Sequence, residues 1–251
     1  MLNTISGLSR TVNRASWRCR TVIFLFVAAL SAPSVLAVPP SKNQIKGDVR
    51  TVEGVRVLRV WGLPYERGFA HGWLLGSDII KLLDGYLADG SISGRPQQYE
   101  ASLQRIGAMM KIAPRYVQEL RGLYEGVVAK LGDKAMIPAL NRPLKYEDVV
   151  AMNCIPDSAR MGCSSFAAWG ALTSNGQTLS GRNLDWHRIA ALRGSQVAIV
   201  FLPAKDSEMG WISITWPGFI GCLTGMNADG ITVSMHDVPA EPPSASSGFT
   251  P

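Results

Sequence analysis

The spacing of apolar residues divides the chain into a helical front part and a strand-rich back part. Residues 55–62 alternate apolar and polar side chains, which predicts a half-buried strand. Apolar residues then recur at helical spacing, with Pro64 marking a helix start and Gly132 a helix end. We predict helices at about 64–88, 98–111, 114–131 and 145–153.

From residue 163 the pattern changes to short strand-like runs. Asn175-Gly176 separates the first two runs and Asp229-Gly230 the last two, and such dipeptides favour tight hairpins. Helices grouped before strands indicate an α+β fold, with the strands in an antiparallel meander, rather than a parallel α/β fold. The runs lie at about 163–172, 177–183, 196–203, 210–216, 221–226 and 230–236.

The first 37 residues have the order of a secretory signal. Four arginines precede an apolar stretch at 22–30, and small residues lead up to Ala37. A membrane-spanning helix needs ~20 apolar residues, which is longer than this stretch. We therefore predict a signal peptide cleaved after Ala37 and an exported, periplasmic or secreted protein, rather than one that stays in the membrane.

Charge and composition restrict the possible partners. The net charge of +6 falls to +2 once residues 1–37, with four arginines and no acidic residue, are removed, so no nucleic-acid partner is expected. The remaining chain has no phosphate-binding glycine motif and no metal-type cysteine spacing. We expect no cofactor and no metal. Cys154, Cys163 and Cys222 remain after signal removal, and an odd number leaves at least one thiol unpaired.

Candidate chemistry lies in the first hairpin. Cys163 opens its first strand, while Arg182 and Asp185 lie near the end of the second, and an antiparallel pair brings these ends together. A neighbouring cation stabilises a thiolate. If the bond between Gly162 and Cys163 were cut, the new α-amine, with an ordinary pKa of ~7.7–8.0, would be a base for the thiol.

Four segments resemble a known family, the cysteine-dependent N-terminal nucleophile (Ntn) hydrolases. The resemblance is to the acyl-coenzyme A:6-aminopenicillanic acid acyltransferase-like branch, with choloylglycine hydrolases and acid ceramidase more distant, and it covers about residues 50–240. The segments are Gly62-Leu-Pro-Tyr-Glu-Arg-Gly-Phe-Ala-His-Gly72, Gly162-Cys-Ser-Ser-Phe166, Gly181-Arg-Asn-Leu-Asp-Trp186 and Gly225-Met-Asn-Ala-Asp-Gly-Ile231.

The resemblance implies an αββα sandwich, self-cleavage between Gly162 and Cys163, and hydrolysis or transfer of an acyl group from a linear amide. By position, Cys163 is the nucleophile, Arg182 stabilises its thiolate and Asp185 holds the freed amine. Asn227 places a turn beside the site or is simply a turn residue. Related enzymes have an oxyanion-binding Asn at the position of Asp237.

An ionised Asp237 would repel a developing negative charge, so His236 beside it is the alternative oxyanion donor. Related enzymes continue with further strands, and we expect the catalytic fold to be incomplete at the carboxy terminus. The predicted division is a signal peptide at 1–37, a mainly helical pro-segment at 38–162 and a partial catalytic β region at 163–251.

Other interpretations of the same residues remain open. The chain could be an exported structural or binding protein with a Cys154–Cys163 disulfide, or an inactive truncated remnant of an Ntn enzyme. His71 is expected to be a packed structural histidine, with a catalytic base as the alternative. Four tryptophans are expected to pack against the sheet, with the walls of an acyl pocket as the alternative: Trp169, Trp186, Trp211 and Trp216. The expected partner is a small amide or acyl compound, and the oligomeric state stays open.

Overall fold

The molecule is built from four helices and ten strands in the part of the chain that the structure, a computed structural model, describes: residues 45–91, 95–158, 162–186 and 189–237. The predicted signal peptide lies outside these residues. The helices are α1 (Pro64–Tyr86), α2 (Pro96–Met109), α3 (Pro114–Leu131) and α4 (Tyr146–Ser158). The strands are β1 (Gly47–Val52), β2 (Val55–Val60), β3 (Met136–Ile137), β4 (Arg142–Pro143), β5 (Gly162–Gly170), β6 (Gly176–Asp185), β7 (Val197–Phe201), β8 (Trp211–Thr215), β9 (Thr224–Asn227) and β10 (Thr232–Ser234).

The α+β class predicted from the sequence is confirmed, and each predicted helix is present. Two helices run further than expected. A π-helical turn, Leu87–Ser91, continues α1, and α4 extends to Ser158 although Pro156 lies inside it. The sequence pattern misses β1, whose residues pair in antiparallel register with β2 across the turn at Glu53-Gly54.

The strands form one large sheet and two small ones. The six-stranded sheet has the order β1-β2-β7-β8-β9-β10, and only its β2–β7 pair is parallel. The predicted continuous meander is therefore wrong, because β5 and β6 form a separate two-stranded sheet. Pairing β7 with β2 instead buries Leu58 and Val60 beside Ile199 and Phe201 in one apolar core.

Two helices pack closely through glycines on their facing sides. Gly68 and Gly72 of α1 meet α3, and a methyl group at Gly72 would collide with the main chain at Leu123. Gly122 and Gly126 meet α1 in the same way. The backbones therefore touch directly, and Leu123 and Val127 are fully buried in the core.

The described residues all belong to one compact unit by their contacts. The β2–β7 pair joins the predicted pro-segment to the predicted β region within one sheet. No helix within the described ranges is long and apolar enough to cross a membrane.

Candidate functional site

The register of the β5–β6 hairpin sets the geometry of the site. Gly162 lies opposite Asp185, Cys163 opposite Leu184, and Ser165 opposite Arg182. Because side chains alternate between the two faces of a strand, Cys163 and Arg182 share one face of the hairpin. Asp185 belongs to the other face.

Arg182 contacts the candidate nucleophile directly. Its Nη2 donates a hydrogen bond to Cys163 Sγ at 3.2 Å and another to the carbonyl oxygen of Met235 at 2.7 Å. Its Nη1 donates to Thr224 Oγ1 at 2.9 Å. The guanidinium therefore joins the hairpin to β9 and to the segment after β10. This is the cation beside a thiol that the sequence predicts.

Asp185 lies beside the main chain rather than beside the thiol. A methyl group at Gly162 would lie 3.4 Å from Asp185 Oδ2, so the carboxylate is next to the peptide that leads into Cys163. Asn183, on the same face of β6, donates from Nδ2 to Asp185 Oδ1 at 2.7 Å. This placement suits a carboxylate that holds an amine at residue 163 rather than one that acts on the sulfur.

The three oxyanion candidates, Asn227, His236 and Asp237, lie at different distances along the chain from the groups that bind Arg182. Asn227 is the last residue of β9 and Thr224 the first, so they are separated by about 10 Å of strand. Asn227 Oδ1 accepts hydrogen bonds from the main-chain N–H groups of Asp229 and Ile231, which makes it a turn residue. His236 and Asp237 are exposed and directly follow Met235, whose carbonyl binds Arg182.

An apolar pocket of about 520 Å³, a volume that includes space open to solvent, is lined by chain neighbours of the site residues. Trp186 follows Asp185 in the chain, and Leu223 precedes Thr224, so two walls of the pocket continue directly from the site. No charged side chain lines it within the described part of the chain. Its walls include Leu82, Met152, Trp186, Trp216, Phe219 and Leu223.

Cys154, Cys163 and Cys222 are all free thiols. The alternative Cys154–Cys163 disulfide is not present in this structure: Cys154 is 4% exposed within the core, and Cys163 contacts Arg182 at the start of β5. Burial raises the pKa of the Cys154 thiol to about 11 and also raises that of Cys222. Cys154 and Cys222 therefore have the surroundings expected of cysteines that pack inside the protein. No metal-holding group of three or more His, Cys, Asp or Glu side chains occurs among the described residues.

Sequence reasoning missed three groups of the site. Thr224 and the Met235 carbonyl bind Arg182, and Asn183 binds Asp185. Asn183 could have been found, since side chains two residues apart on a strand share a face. The contacts of Thr224 and Met235 join separate sheets, and nothing in the local pattern of residues indicates them.

No family model matches the chain. It is similar to the protein dcd1B of Dictyostelium discoideum, with 26% identity over 185 residues, 68% of this chain and 36% of that protein. An uncharacterized protein of Archaeoglobus fulgidus is 25% identical over 204 residues, 74% of this chain and 33% of that protein. Protein dcd1A of Dictyostelium discoideum is 22% identical over 199 residues, 68% of this chain and 42% of that protein. The chain thus matches well under half the length of these relatives, and none of the three names states an activity.

Proposed function

We propose that this chain belongs to the precursor of a cysteine-dependent Ntn-type hydrolase or acyltransferase that acts on linear amides. The observation that carries the proposal is the 3.2 Å hydrogen bond from Arg182 Nη2 to Cys163 Sγ at the open end of the hairpin, far from its turn. A cation held beside a thiol favours the thiolate, which is the nucleophilic form. The carboxylate of Asp185 next to Gly162 supports a role at the amine of the same cysteine.

Self-processing would begin with attack of Cys163 Sγ on the carbonyl carbon of Gly162. The new S–C bond replaces the broken C–N bond, and the released nitrogen takes the thiol proton to become the α-amine of Cys163. Water then hydrolyses the thioester and leaves Gly162 with a free carboxylate. Gly162 suits this step because its exposed backbone carries no side chain to obstruct the sulfur.

Substrate cleavage would repeat this chemistry on an amide. The Cys163 sulfur attacks the carbonyl carbon, its proton passes through the new α-amine to the leaving nitrogen, and a thioester forms. Asp185 holds the α-amine, and Arg182 holds the thiolate before attack. Water as acceptor gives a hydrolase, and an amine as acceptor gives an acyltransferase. The adjoining apolar pocket fits an apolar group on the acyl side of the substrate.

We also propose that the six-stranded sheet and the β5–β6 sheet are the inner layers of an αββα sandwich. Arg182 links the β5–β6 hairpin to β9, the neighbour of the edge strand β10, while Phe166, Trp169 and Leu179 remain exposed on the hairpin. Exposed apolar side chains of this size are typical of a surface that other elements cover. Export by the segment at 1–37 completes the proposal and would put the site in the periplasm or outside the cell.

The intact masses of the full chain and of Cys163→Ala test the proposal. We expect the unaltered chain to divide between Gly162 and Cys163, giving a new amino terminus at Cys163. Cys163→Ala remains unbroken after the signal is removed. Cys222→Ala is the matched control, because it also removes a partly buried thiol but leaves the hairpin intact, and it should be processed normally. A chain that stays whole in all three proteins contradicts the proposal and favours a binding protein or an inactive remnant.

A further inference from the structure

The loop between β8 and β9, residues 216–223, begins with a tight turn. Phe219 N–H donates to the Trp216 carbonyl at 3.2 Å, Pro217 holds the second position, and Gly218 has a φ of +87°. These are the features of a type II turn, in which a glycine takes the left-handed conformation. The turn does not use the N–H of Gly218. Because Gly218 is buried, that N–H needs an acceptor from elsewhere.

His71 of α1 supplies that acceptor. Its Nε2 accepts the hydrogen bond from Gly218 N–H at 2.9 Å, and the side chain is only 1% exposed. The bond requires a neutral imidazole that carries its hydrogen on Nδ1. Burial lowers the pKa of His71 to about 3, so the ring stays an acceptor at neutral and mildly acidic pH.

Asn153 of α4 holds the same loop from a second helix. Its Nδ2 donates to the Gly218 carbonyl at 2.9 Å, and its Oδ1 accepts from Ile220 N–H at 2.8 Å. A further bond from Nδ2 to the Val149 carbonyl, also 2.9 Å, fixes the amide on its own helix. Three main-chain groups of the loop are thus bound by only two side chains.

The loop held in this way leads directly into the candidate site. Trp216 and Phe219 are walls of the apolar pocket, and Leu223 is a third. The next residue, Thr224, accepts the hydrogen bond from Arg182 Nη1. A displacement of the loop would therefore change the pocket and the support of the guanidinium together.

We propose that His71 and Asn153 are positioning residues of the Cys163 site: they hold the 216–223 loop so that the apolar pocket accepts an apolar acyl group beside the thiol. This inference rests on the proposed role of Cys163 as the nucleophile. If the two residues only stabilised the fold, replacing them would lower the unfolding free energy and leave the selectivity of Cys163 between reagents unchanged. The two roles therefore differ in a measurable quantity.

The test compares two alkylating agents, iodoacetamide and N-hexyl iodoacetamide, at Cys163 of the full chain. Peptide mass spectrometry separates the rate at Cys163 from those at Cys154 and Cys222. The variants are His71→Leu, Asn153→Asp and the conservative His71→Gln, which keeps an acceptor. Val127→Ala, a core change on α3, is the control for lost stability alone. All rates are measured where circular dichroism shows each protein folded.

We expect the unaltered chain to react faster with the hexyl reagent, by about fourfold for each methylene that the pocket buries. The ratio of the rate with the hexyl reagent to the rate with iodoacetamide should fall towards one in His71→Leu and Asn153→Asp. It should persist in His71→Gln and Val127→Ala. If His71→Leu does not fold, Asn153→Asp alone decides the test.

A reactive Cys163 whose ratio is the same in every folded variant overturns the inference, and so does an unaltered chain with no preference for the hexyl reagent. Both results leave the proposed nucleophile intact. A Cys163 that reacts with neither reagent contradicts the proposed function itself, and the inference with it.

Discussion

At the scale of single residues, Arg182 makes the contacts that define the candidate site. Its two terminal nitrogens bind a thiol, a hydroxyl and a main-chain carbonyl on three different segments, at Cys163, Thr224 and Met235. Its Nε is buried and has no hydrogen-bond partner among the described residues. These contacts hold the guanidinium beside the sulfur, so the proposed reactivity of Cys163 should depend on Arg182.

Replacing Arg182 by Gln should therefore slow the alkylation of Cys163 by iodoacetamide. A hydrogen bond to a charged group is worth about 1.5–3 kcal/mol, which corresponds to a rate about tenfold lower or more. Arg50→Gln is the matched control, because Arg50 has a 63% exposed side chain on β1, at the opposite edge of the large sheet. An equal rate at Cys163 in both variants would show that Arg182 does not activate the thiol.

The sequence predicts part of this site because the hairpin is local. Asn175-Gly176 fixes the turn, and the strand lengths then bring Cys163 near Arg182. The sequence argument also put Asp185 near the thiol, but alternation of side chains places it on the other face, beside Gly162. Contacts between separate sheets, such as that of Thr224, depend on packing that no local pattern encodes.

At the scale of elements, the α1–α3 pair depends on glycine. A methyl group at Gly122 would collide with the main chain at Tyr65, and one at Gly126 with that at Phe69. Neither clash can be relieved by turning a side chain, since the atoms met belong to the backbone. The helices would have to move apart, and the core beneath them includes the fully buried Leu123.

We expect Gly122→Ala to lower the unfolding free energy by about 1–3 kcal/mol or more, as overpacking of a tight core does. Gly107→Ala on α2 is the matched control, because among the described residues no atom outside its own stretch of helix lies within 4 Å of the added methyl group. There the change should raise stability by about 0.4–1 kcal/mol, because alanine favours the helix and restricts the unfolded chain. Urea unfolding of both variants measures the difference. Equal effects at the two positions would contradict direct contact between the helix backbones.

The helices are predictable from sequence since their periodicity is local, whereas the order of the strands is not. The pairing of β2 with β7 joins residues such as Leu58 and Ile199 across all four helices and the β5–β6 hairpin. Hairpin signals favour pairing between neighbours in the chain, which is why a continuous meander was expected. β2 and β7 share a buried apolar face, and burial of that face stabilises the pairing of β2 with this distant strand.

At the scale of the whole molecule, two buried titratable groups act on stability in opposite directions. Burial lowers the pKa of His71 to about 3 from an ordinary 6.5. Burial also raises the pKa of Glu119 to about 7 from an ordinary 4.5, although Arg67 and Arg115 oppose that shift. Glu119 is 4% exposed on α3 and pairs with Arg67 at 3.3 Å, and Arg67 in turn lies 3.9 Å from Glu208.

The pH dependence of stability follows from these two shifts. Between pH 3 and 6.5 the unfolded chain takes up a proton at His71 that the folded chain excludes, so this residue makes stability fall on acidification. Between pH 4.5 and 7 the folded chain keeps a proton on Glu119 that the unfolded chain releases, so this residue makes stability fall as pH rises. The two effects oppose each other where the two pH ranges overlap.

We expect the unfolding free energy of Glu119→Gln, compared with that of the unaltered chain, to rise with pH where the two ranges overlap. The rise is at most about 1.4 kcal/mol per pH unit. His71→Gln should show the opposite relative slope, because it keeps the acceptor and loses the titration. Urea unfolding at several pH values measures both differences, in which the other carboxylates largely cancel. Parallel curves for Glu119→Gln and the unaltered chain would show that Glu119 remains ionised beside Arg67.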